Sequence, residues 1–400
     1  MPNPNSWTTK ITLLLCSSLT VMAGATVSPA LPAMKEQFEG AIADPDLHTT
    51  LVKLIITLPA LFIVIGSPIA GMIVDRFGRK SLLLISAILY GLAGSSGLYL
   101  ENLTAILAGR AVLGLAVSGV MVSATTLIAD YYAGPARAAF MGLQAGSMGL
   151  GGVLFLTLGG TLAQQNWRFP FGIYLFAWLI VPLILLFLLE PIRDRPTAQS
   201  SNAVSQSPPI AILAIIYGLT TLSQIAFYLI PVQLPFFLEG LVKAAPTQSG
   251  MAIAFCTLFS AAASLTYGKF KQRMEFVAFL PIIFGLMGIG YLLIGQSSNW
   301  AQALVGLAIA GMGLGILMPN MTVWLSSIVA DSGRGKALGL LSTAMFLGQF
   351  LSPIVTQPLT KSAGLGGTYT YTGILLTLIA LSFAVLKSQV RHLVHDHTIH

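Results

Sequence analysis

The stretch GMIVDRFGRK, residues 71–80, holds four charged side chains, Asp75, Arg76, Arg79 and Lys80, in a chain of which only 8% of residues are charged. A carboxylate at the end of an apolar run can form ion pairs, and it can also face the positive N-terminal end of another helix. Anchoring a loop at lipid headgroups would need the cations but not Asp75. We therefore expect contacts here that hold helices together.

Two further cations lie inside apolar runs, where charge is costly and usually functional. Arg110 stands about seven residues into its run, or roughly 10 Å below the boundary, and Lys53 stands near the end of its run. Either side chain could attract an anionic group in a cavity. Alternatively, Lys53 extends its ammonium to the membrane interface, and Arg110 binds backbone carbonyls of the first helix.

Other chemistry is poorly represented. Movement of protons through a membrane protein usually needs a carboxylate within the membrane, but all 13 Asp and Glu residues fall in or beside predicted loops. Four of the five His residues lie within 392–400, and no catalytic set, metal-ligand spacing or phosphate loop falls in the apolar runs. Cys16 and Cys256 both lie in apolar runs and imply no disulfide framework. We expect neither an enzyme nor a bound cofactor or metal.

The elements that carry these residues are membrane helices. The 400 residues are 55% hydrophobic, with a mean hydropathy of +0.84, whereas soluble chains carry about 25% charged residues. Apolar runs long enough to span a bilayer recur along the chain, and in lipid such runs must be helical. The predicted spans are 10–33, 49–74, 80–100, 103–131, 136–163, 170–189, 209–238, 247–269, 275–296, 299–329, 335–360 and 366–388.

These twelve spans fall into two related halves. The motif at 71–76 matches 268–273, and the motif at 136–142 matches 333–339, both with an offset of 197 residues. A constant offset across two separate motifs predicts a parallel repeat of two six-helix bundles, which is a transporter architecture. The predicted division is a first bundle at 1–189, a polar Pro/Ser-rich linker at 190–208, a second bundle at 209–388 and a tail at 389–400.

The basic residues predict the orientation. With a cytoplasmic N-terminus, 14 of the 20 Lys and Arg residues lie on the cytoplasmic side and four on the outer side. Positive residues are enriched in cytoplasmic loops, so we expect both termini in the cytoplasm. The net charge of +7 therefore reports sidedness and does not indicate a nucleic-acid partner.

The chain resembles the major facilitator superfamily over its whole length, and most closely the twelve-helix drug-efflux branch. GMIVDRFGRK is similar to the G-x-x-x-D-R-x-G-R-K/R signature of that family, in the same loop. AGRAVLG (108–114), IADYYAGPARAAFMG (128–142) and NWRFPF (166–171) resemble further family elements. The chain departs from the efflux pattern in the fifth helix, where Phe155 and Leu156 occupy the positions of a Gly-Pro pair.

The resemblance implies a cytoplasmic latch. Asp75 would face the start of the eleventh helix near 333–336, and Arg76 would pair with Asp130. These contacts would close the cytoplasmic side while the cavity opens outward, and would break when it opens inward. The latch candidates are Gly71, Asp75, Arg76, Gly78, Arg79, Asp130 and Arg137.

The resemblance also implies a central cavity between the halves. A mostly apolar pocket with a few amides and aromatics suits an amphipathic ligand. The substrate-binding candidates are Thr26, Lys53, Thr57, Arg110, Gln144, Gln224, Tyr228, Asn320, Trp324, Phe346, Gln349 and Phe350. For each of the polar and aromatic candidates, ordinary helix–helix packing is the alternative.

Together these observations predict a monomeric multi-pass transporter of the bacterial inner membrane that exports a small amphipathic compound, anionic or neutral. Its expected partners are that compound, the lipid bilayer and, as coupling ions, protons. The alternatives are a proton-coupled multidrug antiporter for cations and an importer of a small organic nutrient. Importers commonly place several charges in the cavity, and this sequence offers few.

Overall fold

The computed structural model describes residue 4, residues 6–191 and residues 210–385. Nearly all of the predicted linker, 190–208, and the whole of the predicted tail, 389–400, lie outside the described residues. Within the described ranges the regular structure is entirely helical. The helices are α1 (Trp7–Ala25), α2 (Leu31–Gln37), α3 (Pro45–Phe77), α4 (Arg79–Gly94), α5 (Leu103–Tyr131), α6 (Gly134–Gln165), α7 (Phe176–Phe187), α8 (Ile210–Phe227), α9 (Leu229–Val242), α10 (Pro246–Lys271), α11 (Phe276–Gly295), α12 (Trp300–Ile328) and α13 (Asp331–Val385).

Eleven stretches of the described chain are long and apolar enough to cross a membrane. Two of them join shorter helices end to end, α1 with α2 over Trp7–Gln37 and α8 with α9 over Ile210–Val242. The last, Gly333–Val385, is 53 residues long. At 1.5 Å per residue a straight helix of that length would measure about 80 Å, more than twice the hydrocarbon core.

The last stretch is not straight, because α13 reverses direction at Gly364. This glycine has φ 72° and ψ 178°, which is not helical and is a conformation that suits a residue without a Cβ. The Thr368 hydroxyl donates to the Thr360 hydroxyl at 3.0 Å, although eight residues of straight helix would separate them by about 12 Å. The element is therefore two antiparallel arms, 331–363 and 365–385, where the sequence predicts two spans.

The described helices pack around two hydrophobic cores, one mainly from α1–α7 of the first half and one mainly from α8–α13 of the second, although Tyr228 and Val232 join the first core and Leu156 joins the second. The 197-residue offset recurs in their packing. A Cβ on Gly114 would lie 2.4 Å from the carbonyl oxygen of Pro59, and a Cβ on Gly311 would lie 2.5 Å from that of Cys256. Gly311 and Cys256 lie 197 residues after Gly114 and Pro59, respectively. Each half therefore brings its second and fourth long helices together at an equivalent glycine.

In the first half, two buried tyrosines bind the first helix. The Tyr90 hydroxyl of α4 donates to the carbonyl of Leu19 at 2.7 Å, and the Tyr174 hydroxyl donates to that of Ala23 at 3.2 Å. Their ring centroids lie 5.7 Å apart. These bonds join three segments that are distant in sequence into one body.

The second half repeats this arrangement. The Tyr291 hydroxyl of α11 donates to the carbonyl of Ala226 at 2.6 Å, and the Tyr369 hydroxyl donates to that of Leu229 at 2.8 Å. The two ring centroids are 5.6 Å apart. Each half is thus held by a similar pair of tyrosine bonds to its first membrane-spanning stretch.

Candidate functional site

We call the end of the bundle that carries Arg79 and Lys80 the inner end, after the predicted orientation, and the opposite end the outer end. The two halves meet at the outer end. The Ser28 hydroxyl donates to the carbonyl of Pro231, and Lys361 pairs with Asp46. Close backbone approach between α6 and α10 accompanies these bonds, because a Cβ on Gly250 would lie 2.6 Å from the carbonyl oxygen of Leu156.

At the inner end the halves stand apart. A Cβ placed on Gly142, Gly146, Gly335 or Gly339 would meet no atom of the described residues within 4 Å. Since the helices that carry these glycines touch the opposite half further outward, the gap between the halves opens toward the inner end. In the predicted orientation, this arrangement is inward-open.

A cavity of about 420 Å³ lies in this gap, between α3, α5 and the first arm of α13. It is lined by apolar and hydroxyl side chains, and no charged residue lines it among those that the structure describes. The lining residues are Val64, Ser67, Met121, Val122, Thr125, Thr126, Gly335, Leu338, Gly339, Ser342, Thr343 and Phe346. Of the predicted substrate-binding residues, this set includes Phe346.

Lys53 closes the outer end of the same gap. Its side chain is only 2% exposed, and its Nζ donates to Oε1 of Gln357 at 2.7 Å. The ammonium also lies 5.9 Å from the ring centroid of Phe236. Lys53 therefore points into the protein between the halves rather than out to the interface, and Gln357 is a partner that the sequence analysis missed.

Thr57 lies one helical turn further inward on α3. It is fully buried, and its hydroxyl has no hydrogen-bond partner within the described ranges. A buried polar group without a partner is uncommon and needs a reason, such as a ligand or water.

The predicted amides meet between α8 and the first arm of α13. Nε2 of Gln349 donates to Oε1 of Gln224 at 3.2 Å, and the Ser352 hydroxyl donates to the carbonyl of Ile225 at 2.7 Å. These bonds lie beside Pro353, where the helix lacks one backbone donor. Both amides are nearly buried, so their contact joins two helices of the second half.

Arg110 lies inside the first half, not between the halves. It is 1% exposed, and its guanidinium carbon lies 4.5 Å from the ring centroid of Phe171 and 4.7 Å from that of Tyr174. Its Nε and Nη2 atoms have no hydrogen-bond partner in the described structure. Stacking on aromatic faces takes the place of the backbone bonds that were the alternative expectation.

Most of the remaining candidates also lie within one half. The Thr26 hydroxyl donates to Met22 of its own helix, and Gln144 donates to Ser17 of α1 at 2.9 Å. Asn320 accepts from Tyr267 at 3.2 Å. Tyr228 differs: it belongs to the second half and is buried against Gly24 of α1, so it lies between the halves. Trp324 is stacked on Phe276, and Phe350 is half-buried.

The ion pair at the inner end differs from the expected one. Asp130 pairs with Arg79, whose Nε lies 3.0 Å from its Oδ2, and not with Arg76, which is exposed and stacks over Phe77. The reason is geometric. Gly78 has φ 95° and turns the chain, so Arg79 begins α4, which packs along α5 next to Asp130, while Arg76 stays in the last turn of α3.

Glu190 completes this inner cluster, and the sequence analysis missed it. Its two carboxylate oxygens accept the backbone N–H groups of Arg79 at 2.7 Å and Lys80 at 2.8 Å. A carboxylate there satisfies free N–H groups and faces the positive end of the helix dipole. The signal in the sequence was an acidic residue directly after the apolar run 183–189.

The other latch candidates have no closing contacts in this arrangement. Asp75 and Arg137 are exposed, and a Cβ on Gly71 would meet nothing within 4 Å in the described structure. Close helix approach at Gly71 is therefore absent here. The parted inner ends account for this, since the start of the first arm of α13 forms no contact with Asp75 in the described structure.

A larger hollow of about 830 Å³ lies on the outside of the first half, between α1, α6 and the α7 segment. Its lining includes Leu154, Trp178 and Leu179, all of which are exposed on the bundle surface. This groove faces away from the gap between the halves, so it does not belong to the candidate pathway.

Comparison with known proteins identifies the family to which the chain belongs. The family model described as Major Facilitator Superfamily matches residues 13–240 and 216–396. The chain is 25% identical over 369 residues to the bacillibactin exporter of Bacillus subtilis (strain 168), with 86% of this chain and 87% of that protein covered. It is 23% identical over 351 residues to the quinolone resistance protein NorA of Staphylococcus aureus (strain MRSA252), covering 83% and 85%.

Among solved structures, the crystal structure of a D-xylose-proton symporter superimposes with a TM-score of 0.75 at 18% identity, covering 94% of this chain and 97% of that one. This likeness concerns the fold alone. The family match over nearly the whole sequence, the apolar helices and the shared fold show that the chain is a multi-pass membrane transporter that belongs to the major facilitator superfamily.

Proposed function

We propose that this protein exports a small amphipathic compound, anionic or neutral, across the bacterial inner membrane. The observation that carries the proposal is the inward-open cavity between the halves, which combines apolar and hydroxyl side chains and has no charged lining residue in the described structure. Such a lining suits a ligand with a large apolar surface and a few polar groups. The two relatives whose names refer to export or drug resistance support the direction.

The protein would work as a monomer with twelve spans and both termini in the cytoplasm. Transport would proceed by rocking of its two halves against each other. The tyrosine bonds that hold each half together, and the small number of polar bonds between halves, support rigid-body motion. An inside-negative potential favours export of an anion by about 2.3 kcal/mol per charge per 100 mV. Export of a cation would need a coupled proton.

Two alternatives remain distinct proposals. A proton-coupled antiporter for cations would use Asp75 or Asp130 as its proton site, because the acidic residues are confined to the ends of the helices. An importer of a small organic nutrient is consistent with the fold, which is also that of a sugar symporter.

The direct test is transport by the purified protein after reconstitution into lipid vesicles. The protein is oriented inside-out in one preparation and right-side-out in the other. We expect naphthylacetate, naphthylacetamide or both to accumulate in inside-out vesicles and not in protein-free vesicles. Accumulation only in right-side-out vesicles would indicate import. The antiporter would be favoured if an acidified lumen drives uptake of a naphthylmethylammonium cation while neither naphthylacetate nor naphthylacetamide is taken up.

We further propose that Asp75 closes the inner end against the start of α13 in the outward-open state. Spin labels at Gly142 and Gly339, both at the open inner end, would report the distance between the halves. Asp75→Asn should reduce the short-distance population, because an amide lacks the charge that favours a helix N-terminus. Gln272→Ala, at the equivalent exposed position of the second half, is the matched control.

A further inference from the structure

We propose that Lys53 binds the acidic group of the transported compound, and that this binding loosens the closure of the outer end. The inference deepens the proposed function and rests on it. Its ligand is an amphipathic organic acid, with a carboxylate as the simplest acidic group. Three observations carry it: an uncompensated buried charge, a second unpartnered polar group, and their position on the faces that line the cavity.

The first observation is the charge at Lys53. No carboxylate lies within ion-pair distance of its Nζ in the described part of the chain, and the oxygen that it binds belongs to the neutral amide of Gln357. Burial of an ammonium costs several kcal/mol unless an anion and further hydrogen bonds compensate it. An amide oxygen supplies only one of three bonds that the ammonium can donate. A ligand oxyanion would supply the missing charge and a stronger acceptor than the amide oxygen of Gln357.

The second observation is Thr57, one turn inward from Lys53 on the same helix face. Its buried hydroxyl is without a partner in the described structure. A hydroxyl can donate to an oxyanion, so Lys53 and Thr57 present two donors along one line that runs inward from the closed end.

The third observation is the position of this site relative to the cavity. Lys53 precedes the cavity-lining Val64 by 11 residues on α3, and Gln357 follows the cavity-lining Phe346 by 11 residues on the first arm of α13. Eleven residues are close to three helical turns, so both pairs share a face and lie about 16 Å apart along the axis. The cavity and the Lys53 site are therefore the inner and outer parts of one interface between α3 and α13.

The consequence concerns the bond between the halves. Lys53 belongs to the first half and Gln357 to the second, so their bond crosses the gap at its closed end. An acidic group that enters from the cavity competes with Gln357 for the same ammonium. Because an anion is the stronger acceptor, a bound acid would release Gln357 and weaken the outer closure. Binding of the compound would thus favour opening of the outer end, where the compound is released.

The test compares binding of naphthylacetate with that of naphthylacetamide, which has the same ring system and no charge, to protein in lipid nanodiscs. For the wild type we expect the acid to bind about tenfold more tightly, which is the effect of one charge-assisted hydrogen bond. In Lys53→Met the preference should disappear. Lys361→Met is the matched control, because Lys361 also links α13 to α3 but is exposed, and the preference should persist.

Two changes at Gln357 guard against a trivial loss of folding in Lys53→Met. Gln357→Leu removes the competing acceptor and should tighten binding of the acid. Gln357→Glu gives Lys53 a permanent carboxylate partner and should remove the acid preference while the protein stays folded. Equal affinities for acid and amide in the wild type, or an unchanged preference in Lys53→Met or Gln357→Glu, would overturn the proposal.

The same probes separate this inference from the proposed function. If both compounds are exported equally in the vesicle assay, export stands and the acid site falls. If neither compound is transported in either vesicle orientation, the proposed function falls, whatever the binding experiment gives.

Discussion

The two halves share a framework but differ in chemistry at their inner ends. In the first half Arg79 pairs with Asp130. The positions 197 residues later hold Phe276 and Ser327, and Phe276 stacks on Trp324 with centroids 6.3 Å apart and rings nearly parallel. The position of Arg79 thus corresponds to an aromatic residue in a stack, and the position of Asp130 to a neutral serine. Since the second half forms a similar bundle with these residues, an ion pair between these two positions is not needed to form the framework.

A second difference lies in the interior. Arg110 of the first half stacks on Phe171 and Tyr174, while the position 197 residues later is Leu307, which is fully buried. Both halves nevertheless form the tyrosine bonds to their first helix. The comparison therefore separates features that every half needs from features that only one half carries.

The largest expected effect comes from the shared glycines. Gly114→Val and Gly311→Val would each force a side chain against a backbone carbonyl that lies within 2.5 Å of the new Cβ, and backbone cannot move aside locally. We expect each change to cost at least about 3 kcal/mol of folding free energy, measured as loss of folded protein or a lowered melting temperature. Gly142→Ala and Gly339→Ala, also 197 residues apart and with open space around the Cβ, are the controls. A wild-type melting temperature for only one of the two valine variants would show that the halves do not share this contact.

A smaller effect is expected at Glu190, which serves only the first half. Glu190→Ala removes the acceptor for two N–H groups at the start of α4. We expect a loss of about 1–2 kcal/mol, as for other helix caps, measured by thermal unfolding in detergent. Glu101→Ala, an exposed acidic residue before α5, should leave the melting temperature unchanged, and an equal drop in both variants would contradict the capping role.

The tyrosine bonds should have equal effects in the two halves. Tyr90→Phe and Tyr291→Phe each remove one buried hydroxyl bond and should each cost about 1 kcal/mol. Thermal unfolding of the two variants measures this, with Tyr371→Phe, whose side chain is 56% exposed, as the control. A large difference between Tyr90→Phe and Tyr291→Phe would show that one half depends on its bond more than the other.

The smallest effect is expected when the first half is given the residue of the second. Arg110→Leu removes a buried charge with unpartnered nitrogen atoms, at the loss of two aromatic contacts. The substitution loses a cation–π stabilisation of about 0.5–2 kcal/mol, but it also removes the cost of keeping the guanidinium away from water, and the two effects offset each other. We expect the melting temperature to stay the same or rise, and a marked fall would show that Arg110 has a partner that stabilises the first half.

The sequence predicts the framework well, because long apolar runs and a constant offset determine helices and repeat without knowledge of side-chain direction. Gly78 was also predictable, since a turn directly after a helix favours a residue that tolerates positive φ. The partner of Asp130 could not be predicted in this way. Arg76 and Arg79 are only three residues and one turn apart, and the direction of α4 determines which of them reaches Asp130.

Side-chain direction also explains the missed residues. Gln357 is an amide in a mostly apolar span, four residues after Pro353, which could have marked it, but its contact with Lys53 depends on how closely the two halves approach. Arg110 was predictable as a buried cation. Its burial inside the first half was not, because the aromatic residues that hold it come from a segment about 60 residues away in sequence.

The bonds at the outer end have a consequence for the energy landscape of the protein. In the described residues, the polar contacts between halves include a lysine with a neutral amide, hydroxyls with carbonyls, the Thr247 hydroxyl with the Gln164 amide oxygen, and an exposed Lys361–Asp46 pair. Each hydrogen bond among them contributes about 1 kcal/mol, and solvent screens the exposed ion pair, so the polar contacts hold this closure only weakly. Since about 1.4 kcal/mol changes a population ratio tenfold, a modest difference in ligand affinity between the two states is enough to move most molecules from one to the other.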